Sequence, residues 1–228
     1  MLFSDVRFSR LAIFAAGALA LSACSGASSD DTASPSGDKE EVTNTATGAL
    51  AEMVMGNPDA EVTVIEYASV TCPHCASFHE GIFPTIKENY IDTGKVKFIF
   101  REFPTAPAEL SVAGSMLARC AADKGGKDAY FLVLDSLFKT QRTWAASNNP
   151  RDHLLKIATQ AGMDEAAFDT CVRREELLEF INETVTYGRD KYDVRSTPSF
   201  ILNGTLRHFS SVDDFSAAID EELEKSGE

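Results

Sequence analysis

Cys72, Pro73, His74 and Cys75 stand where an apolar run, Val62 to Ala68, gives way to a segment carrying Phe78, Ile82, Phe83 and Ile86 at helical spacing. Two thiols two residues apart can close a small disulfide, reopen it, and pass the oxidation to another pair of thiols. The species that attacks or leaves in such an exchange is the thiolate. A cysteine at a helix N-terminus meets unpaired backbone N–H groups and the positive end of the helix dipole, and both favour negative charge on sulfur. Cys72 is therefore the expected nucleophile. Cys75, one turn deeper, is expected to be the buried thiol that resolves the mixed disulfide. His74 stands between them, either stabilising the Cys72 thiolate by hydrogen bond or charge, or as a solvated helix-end residue. Pro73 has no N–H to donate and shapes the turn. The pair could instead be half of a zinc site, but that needs two more ligands, and the chain has no second CxxC and no HxxxH.

The elements that must hold this pair can be traced in order. Val62 to Ala68 carries apolar residues on both faces, which predicts an interior strand. Glu66 interrupts it six residues before Cys72; it is either a surface-facing strand residue or an acid lying under the cysteines. The helix opened by Pro73 runs towards Tyr90, with a kink expected at Pro84. After Gly94, Val96 to Phe100 alternates as a second strand. Residues 107–192 carry four or five helical patterns, among them one capped by Asp164. Strands resume at Ser199 to Leu202, turn at Asn203-Gly204 and return over Thr205 to Phe209. An amphipathic helix from Asp213 to Glu224 closes the order. A block of helices interrupting a strand series predicts an inserted helical subdomain in an α/β fold. His79, His153 and His208 have no nameable partners and read as surface or core-edge residues; Trp144 reads as packing.

The chain has 228 residues, 44% of them hydrophobic, and a formal net charge of -14. That balance argues against binding nucleic acid through its phosphates. Arg7 and Arg10 precede a short apolar stretch, Leu11 to Leu21, followed by small residues. Residues 1–23 therefore read as an export signal. Leu21-Ser22-Ala23-Cys24 resembles the bacterial lipobox, which implies cleavage before Cys24, lipid modification of that cysteine, and attachment to a membrane; the other reading is an ordinary signal with Cys24 incidental. Residues 24–49 are small and polar apart from a few apolar side chains, too poor in apolar surface to offset their ordering entropy, and are expected to be a flexible tether.

Five cysteines in an exported chain need an explanation. With Cys24 lipidated and Cys72 and Cys75 paired, Cys120 and Cys171 remain for each other, as a structural disulfide or as two buried thiols. An oxidising compartment lets such a bridge persist.

Glu66, the Cys72-Pro73-His74-Cys75 tetrapeptide, the run Val194-Arg195-Ser196-Thr197-Pro198-Ser199-Phe200 and Asn203-Gly204 together resemble the DsbA family of exported thiol:disulfide oxidoreductases. The resemblance covers residues 50 to 225 or so, with one small departure, Ser196, where many relatives have glycine. It implies a thioredoxin-like fold with a helical insertion: residues 50–106 and 193–228 form the thioredoxin-like framework, and residues 107–192 form the insertion. It implies that Glu66 sits beneath the redox pair and helps protons move to and from Cys75. It implies that Thr197-Pro198 is a cis-proline loop facing the disulfide and able to hold an extended substrate peptide. The expected activity is donation of the Cys72–Cys75 disulfide to cysteine-containing exported proteins, with no metal or organic cofactor. Re-oxidation by a quinone-linked membrane partner of the DsbB type and a monomeric state are further expectations. A reductase or isomerase using the same site, and a non-enzymatic envelope-protein-binding lipoprotein, remain as alternatives. The family's isomerases usually gain a dimerisation module ahead of the catalytic domain, for which residues 25–50 are too short and too polar.

Overall fold

The computed structural model describes residues 46–227. The signal expected over residues 1–23, the lipidation site Cys24 and the tether up to residue 45 lie outside the described residues. Among the described residues no helix is long and apolar enough to cross a membrane.

A five-stranded sheet runs in the order β1-β3-β2-β4-β5. Its strands are β1 (Met53–Gly56), β2 (Val62–Ala68), β3 (Val96–Glu102), β4 (Ser199–Leu202) and β5 (Thr205–Arg207). β2 and β3 are parallel, and the other pairings are antiparallel. β2 lies in the middle, as its two apolar faces require. The register sets Glu66 between Phe100 of β3 and Phe200 of β4.

Side chains on β2 alternate between two cores. Val62, Val64 and Ala68 join the larger core with the helices α1 (Pro73–Gly81), α3 (Ala108–Lys139) and α8 (Val212–Ser226). Ile65 and Tyr67 join Ile99, Phe103, Val194 and Ile201 on the opposite face, where Val185 and Tyr192 of α7 (Glu175–Tyr192) pack. Helices on both faces leave a central strand dry on both sides. Gly188 of α7 permits the close approach, because a Cβ there would stand 2.6 Å from the Tyr67 ring.

The helix expected to run from Cys72 towards Tyr90 is broken. α1 ends at Gly81, a short α2 (Phe83–Ile86) contains Pro84, and a π-helical turn, Lys87–Ile91, follows. Proline cannot donate the helical hydrogen bond and crowds the preceding turn. The insertion holds α3, α4 (Gln141–Trp144), α5 (Pro150–Gln160), α6 (Glu165–Cys171) and α7. α3 bends at Gly126, whose φ of 63° and ψ of -161° are not helical. Asp164 caps α6 by accepting from the Ala167 N–H at 2.8 Å. A disulfide joins Cys120 of α3 to Cys171 of α6. Its loop, 51 residues in sequence separation, corresponds to about 4 kcal/mol in the chain-entropy model, an upper-end figure.

Besides the broken helix, and a β5 that stops at Arg207 rather than Phe209, two further features depart from what the sequence predicts. One is β1, whose four residues, Met-Val-Met-Gly, are too short to show a period. The other is the tether expected to run to residue 49, which ends sooner. Gly48–Leu50 form a 3₁₀ turn, and Ala49 is buried. The cause is Arg119, itself buried, which donates to the carbonyls of Ala49 (2.8 Å) and Ala51 (3.0 Å). The same guanidinium donates to Glu102 Oε2 at 2.6 Å, and the Tyr130 hydroxyl donates to Glu102 Oε1 at 2.7 Å. Burial, and then the Glu102 charge, push the Tyr130 hydroxyl well above its ordinary value.

Removing one member of a buried ion pair strands the other. Arg119→Met is expected to lower stability by about 3–5 kcal/mol in urea unfolding, with the Arg119→Met/Glu102→Gln double variant recovering some of the loss. A single variant as stable as the parent would show that the pair is not held as described.

Candidate active site

The local sequence builds the site by ending a strand and starting a helix within four residues. β2 stops at Ala68, and the chain turns with the Cys72 N–H donating to the Ser69 carbonyl at 3.0 Å. Cys72 is the N-cap residue of α1, in an extended conformation, and Pro73 takes the first helical turn. The Cys72 carbonyl accepts the first helical hydrogen bond, from Ala76 at 3.2 Å. The N–H groups of the first turn thus have no helical partner and are free to face sulfur.

Side chains from elsewhere fix the loop. Ser69 Oγ bonds to Ser111 Oγ (2.8 Å), to Thr71 Oγ1 (3.0 Å) and to the Thr105 hydroxyl (2.9 Å). Gln141, buried at the start of α4, donates through Nε2 to both the Val70 and the Cys72 carbonyls, each at 2.9 Å. Nothing in the sequence marks this residue as a member of the site, because an amide inside a helical pattern carries no reactive signature.

The two cysteines are free thiols in very different surroundings. Cys72 is 8% exposed and Cys75 is fully enclosed. Thr197 and Pro198, joined by a cis peptide bond, face them across the site. The Thr197 carbonyl accepts from Cys72 Sγ at 3.4 Å. The Cys72 pKa is brought down from 9.0 to about 5. The largest cause is a hydrogen bond with the Cys75 thiol; burial opposes it, and the Thr197 side chain and the N–H groups of Cys75 and His74 add to it. Cys75 is pushed far up, first by burial, then by its hydrogen bond to Cys72 and by the negative charge of Glu66. What His74 contributes to Cys72 is its backbone N–H. Its side chain, like Pro73, faces solvent.

Glu66 is completely buried. Its Oε2 is 2.9 Å from His79 Nε2, and its Oε1 has no hydrogen-bond partner. This corrects the reading of His79 as a residue without a nameable partner. His79 lies four residues after Cys75 and thus on the same face of α1. That spacing, with Glu66 on the β2 face turned towards α1, was the available signal. His153 is half-buried and His208 exposed. Trp144 is buried, its indole N–H donating to the Leu137 carbonyl at 2.8 Å. Among the described residues no group of three or more His, Cys, Asp or Glu is arranged to hold a metal ion.

A dithiol at a helix N-terminus, a cis-proline loop against it and a buried acid beneath define a thioredoxin-like redox centre. The chain belongs to the thioredoxin family: that family's model matches residues 49–221. Its fold is the DsbA-like version, with the helical insertion. The crystal structure of Wolbachia pipientis alpha-DsbA1 superposes with a TM-score of 0.70 at 29% identity, covering 77% of this chain and 92% of that one. A Rickettsia bellii protein, provisionally named a protein-disulfide oxidoreductase, is 36% identical over 77% of this chain and 66% of its own length. Disulfide bond formation protein D of Bacillus subtilis is 28% identical over 75% of this chain and 76% of its own length. The chain spans slightly less than two thirds of the length of the rickettsial relatives it matches.

The depressed Cys72 pKa makes the stability of the reduced protein depend on pH. The folded value lies below the unfolded one, so thiolate formation stabilises the reduced fold fully above 9.0. The contribution shrinks below that and is lost as the pH falls through about 5. Thiolate absorbance of the reduced protein is expected to titrate near pH 5. The urea midpoint of the reduced form should rise relative to the oxidised form between pH 5 and 9. A thiol titrating near 9 would contradict the geometry described.

Proposed function

We propose that this chain is an exported dithiol oxidase that donates the Cys72–Cys75 disulfide to cysteine pairs of folding envelope proteins. The observation that carries the proposal is the split between the two sulfurs: Cys72 is comfortable as a thiolate, whereas Cys75 is held as a thiol. A stabilised Cys72 thiolate favours the reduced enzyme, which makes its disulfide oxidising, and a thiol of low pKa leaves fast.

The exchange balances in two steps. A substrate thiolate attacks Cys72 Sγ; the Cys72–Cys75 bond breaks, and its electron pair leaves on Cys75, which takes up a proton. A second substrate thiolate then attacks the substrate sulfur joined to Cys72. The substrate disulfide forms, and Cys72 departs as the thiolate. Glu66 serves proton movement at Cys75. The backbone at Thr197, beside the start of β4, offers an edge to which an extended substrate peptide can add as a strand. The disulfide itself is the only redox group the reaction needs.

The wider assignment rests on the sequence. Residues 1–23 direct export, Cys24 carries a lipid that holds the protein to a membrane of the cell envelope, and the protein acts as a monomer. A quinone-linked membrane partner of the DsbB type restores the disulfide. The name of the Bacillus relative, which speaks of disulfide bond formation, supports the oxidising direction over reduction.

Cys72→Ser is expected to abolish oxidation of a dithiol peptide, and Cys75→Ser to accumulate mixed disulfides visible by mass spectrometry. Full peptide oxidation by Cys72→Ser would overturn the proposal.

A further inference from the structure

The Cys75 sulfur must gain or lose a proton each time the disulfide opens or closes, yet it is sealed from solvent. Glu66, whose charge acts on Cys75, is equally sealed and cannot exchange protons with water by itself. One carboxylate oxygen is unpartnered and the other is bonded to His79. The His79 side chain retains 9% exposure and lines a cavity of about 550 Å³ bounded by β1, Phe83 and the second half of α3. Phe138 stacks on its ring at 4.1 Å, which holds the imidazole edge-on to Glu66. His79 is one helical turn beyond Cys75, on the side of α1 away from the redox end. The cavity is therefore not at the surface where a substrate would cover Cys72.

We propose that His79 is a positioning residue that connects Glu66 to solvent, so that Cys75 exchanges its proton through the Glu66–His79 pair and the cavity behind α1. The inference rests on the oxidase reading and deepens it. When the disulfide opens, Cys75 leaves as a thiolate and is protonated through Glu66: a proton passes from His79 Nε2–H to the Glu66 carboxylate and on to the Cys75 sulfur, which returns Glu66 to its charged form. His79 is reprotonated from water in the cavity. Re-oxidation runs the same transfers backwards. The donor and acceptor atoms are in place for the middle transfer at 2.9 Å.

The other charged groups near His79 leave this path to it. Lys87, Asp92, Lys127, Asp128 and Asp135 line the cavity and include both signs. Lys87 is paired with Asp92. Behind Phe100, Glu102 is occupied by Arg119 and Tyr130. Tyr130, on which the Glu66 charge also acts, keeps its proton and donates it to Glu102.

The test is single-turnover oxidation of a dithiol peptide by the oxidised full chain, from pH 5 to 9, with the parent, Cys72→Ser, His79→Gln and His79→Phe. Glutamine keeps a donor for Glu66 but accepts no proton; phenylalanine keeps the ring stack on Phe138. Both His79 variants are expected to be slowed about a hundredfold at pH 7, the lower end of a positioned acid or base. The thiolate absorbance titration of Cys72 should be unchanged, and imidazole added to the buffer should restore rate. Parental rates across the pH range in whichever of the two variants folds would overturn the inference, as would slowing that tracks a shifted Cys72 titration. Failure of the oxidase reading looks different: the parent and Cys72→Ser would then be alike.

Discussion

The site depends on one hydrogen bond between like atoms. The Cys75 thiol donates to Cys72, and this contact is the largest cause of the acidity of Cys72. It works only because the surroundings are unequal. Cys75 faces the sheet, where burial and the Glu66 charge keep its proton on. Cys72 sits at the helix tip, where N–H groups point at it and the Thr197 loop closes over it. A single turn of helix separates a sulfur that holds its proton from one that sheds it. The polarity of the centre thus comes from its placement at a strand–helix junction rather than from any difference in residue type.

Holding that junction still is the work of residues with no redox chemistry. The hydroxyl cluster around Ser69 ties the end of β2 to α3 and to the segment after β3. Gly188 lets α7 approach Tyr67, and so presses β2 from the other face. The buried Arg119–Glu102–Tyr130 group joins α3 to β3 and to the residues ahead of β1. Each joins elements distant in sequence, which is why the two faces of one sheet can fix a loop only four residues long.

Much of this is legible in the sequence alone. β2, the redox helix, β3, the Asn203-Gly204 hairpin and α8 announce themselves through period and turn residues, and Cys72-Pro73-His74-Cys75 has a chemistry that few other spacings permit. The break at Ile82 is visible as Pro84. What escapes has no local signature. β1 is too short to alternate, and the order around Gly48–Leu50 is imposed by Arg119, some 70 residues away. His79 looks idle because its partner lies on a strand 13 residues earlier, and Gln141 because an amide is an ordinary helix residue. The cis bond at Ala106–Pro107 likewise follows no pattern in its neighbours. Side-chain partnerships across the fold, unlike periodicity, are written in no single stretch of chain.

The grip of Gln141 on the main chain at Val70 and Cys72 has a bearing on how such proteins diversify. A helical block set into a sheet-and-helix framework looks like an exchangeable module, free to be trimmed or swapped between relatives. Here the block reaches back and holds the carbonyl of Cys72 itself. A chimaera carrying a foreign block must bring a donor to that same spot or leave the Val70 oxygen without its amide partner and the Cys72 oxygen with only its helical one. The reactivity of the framework and the identity of the graft are therefore inherited together.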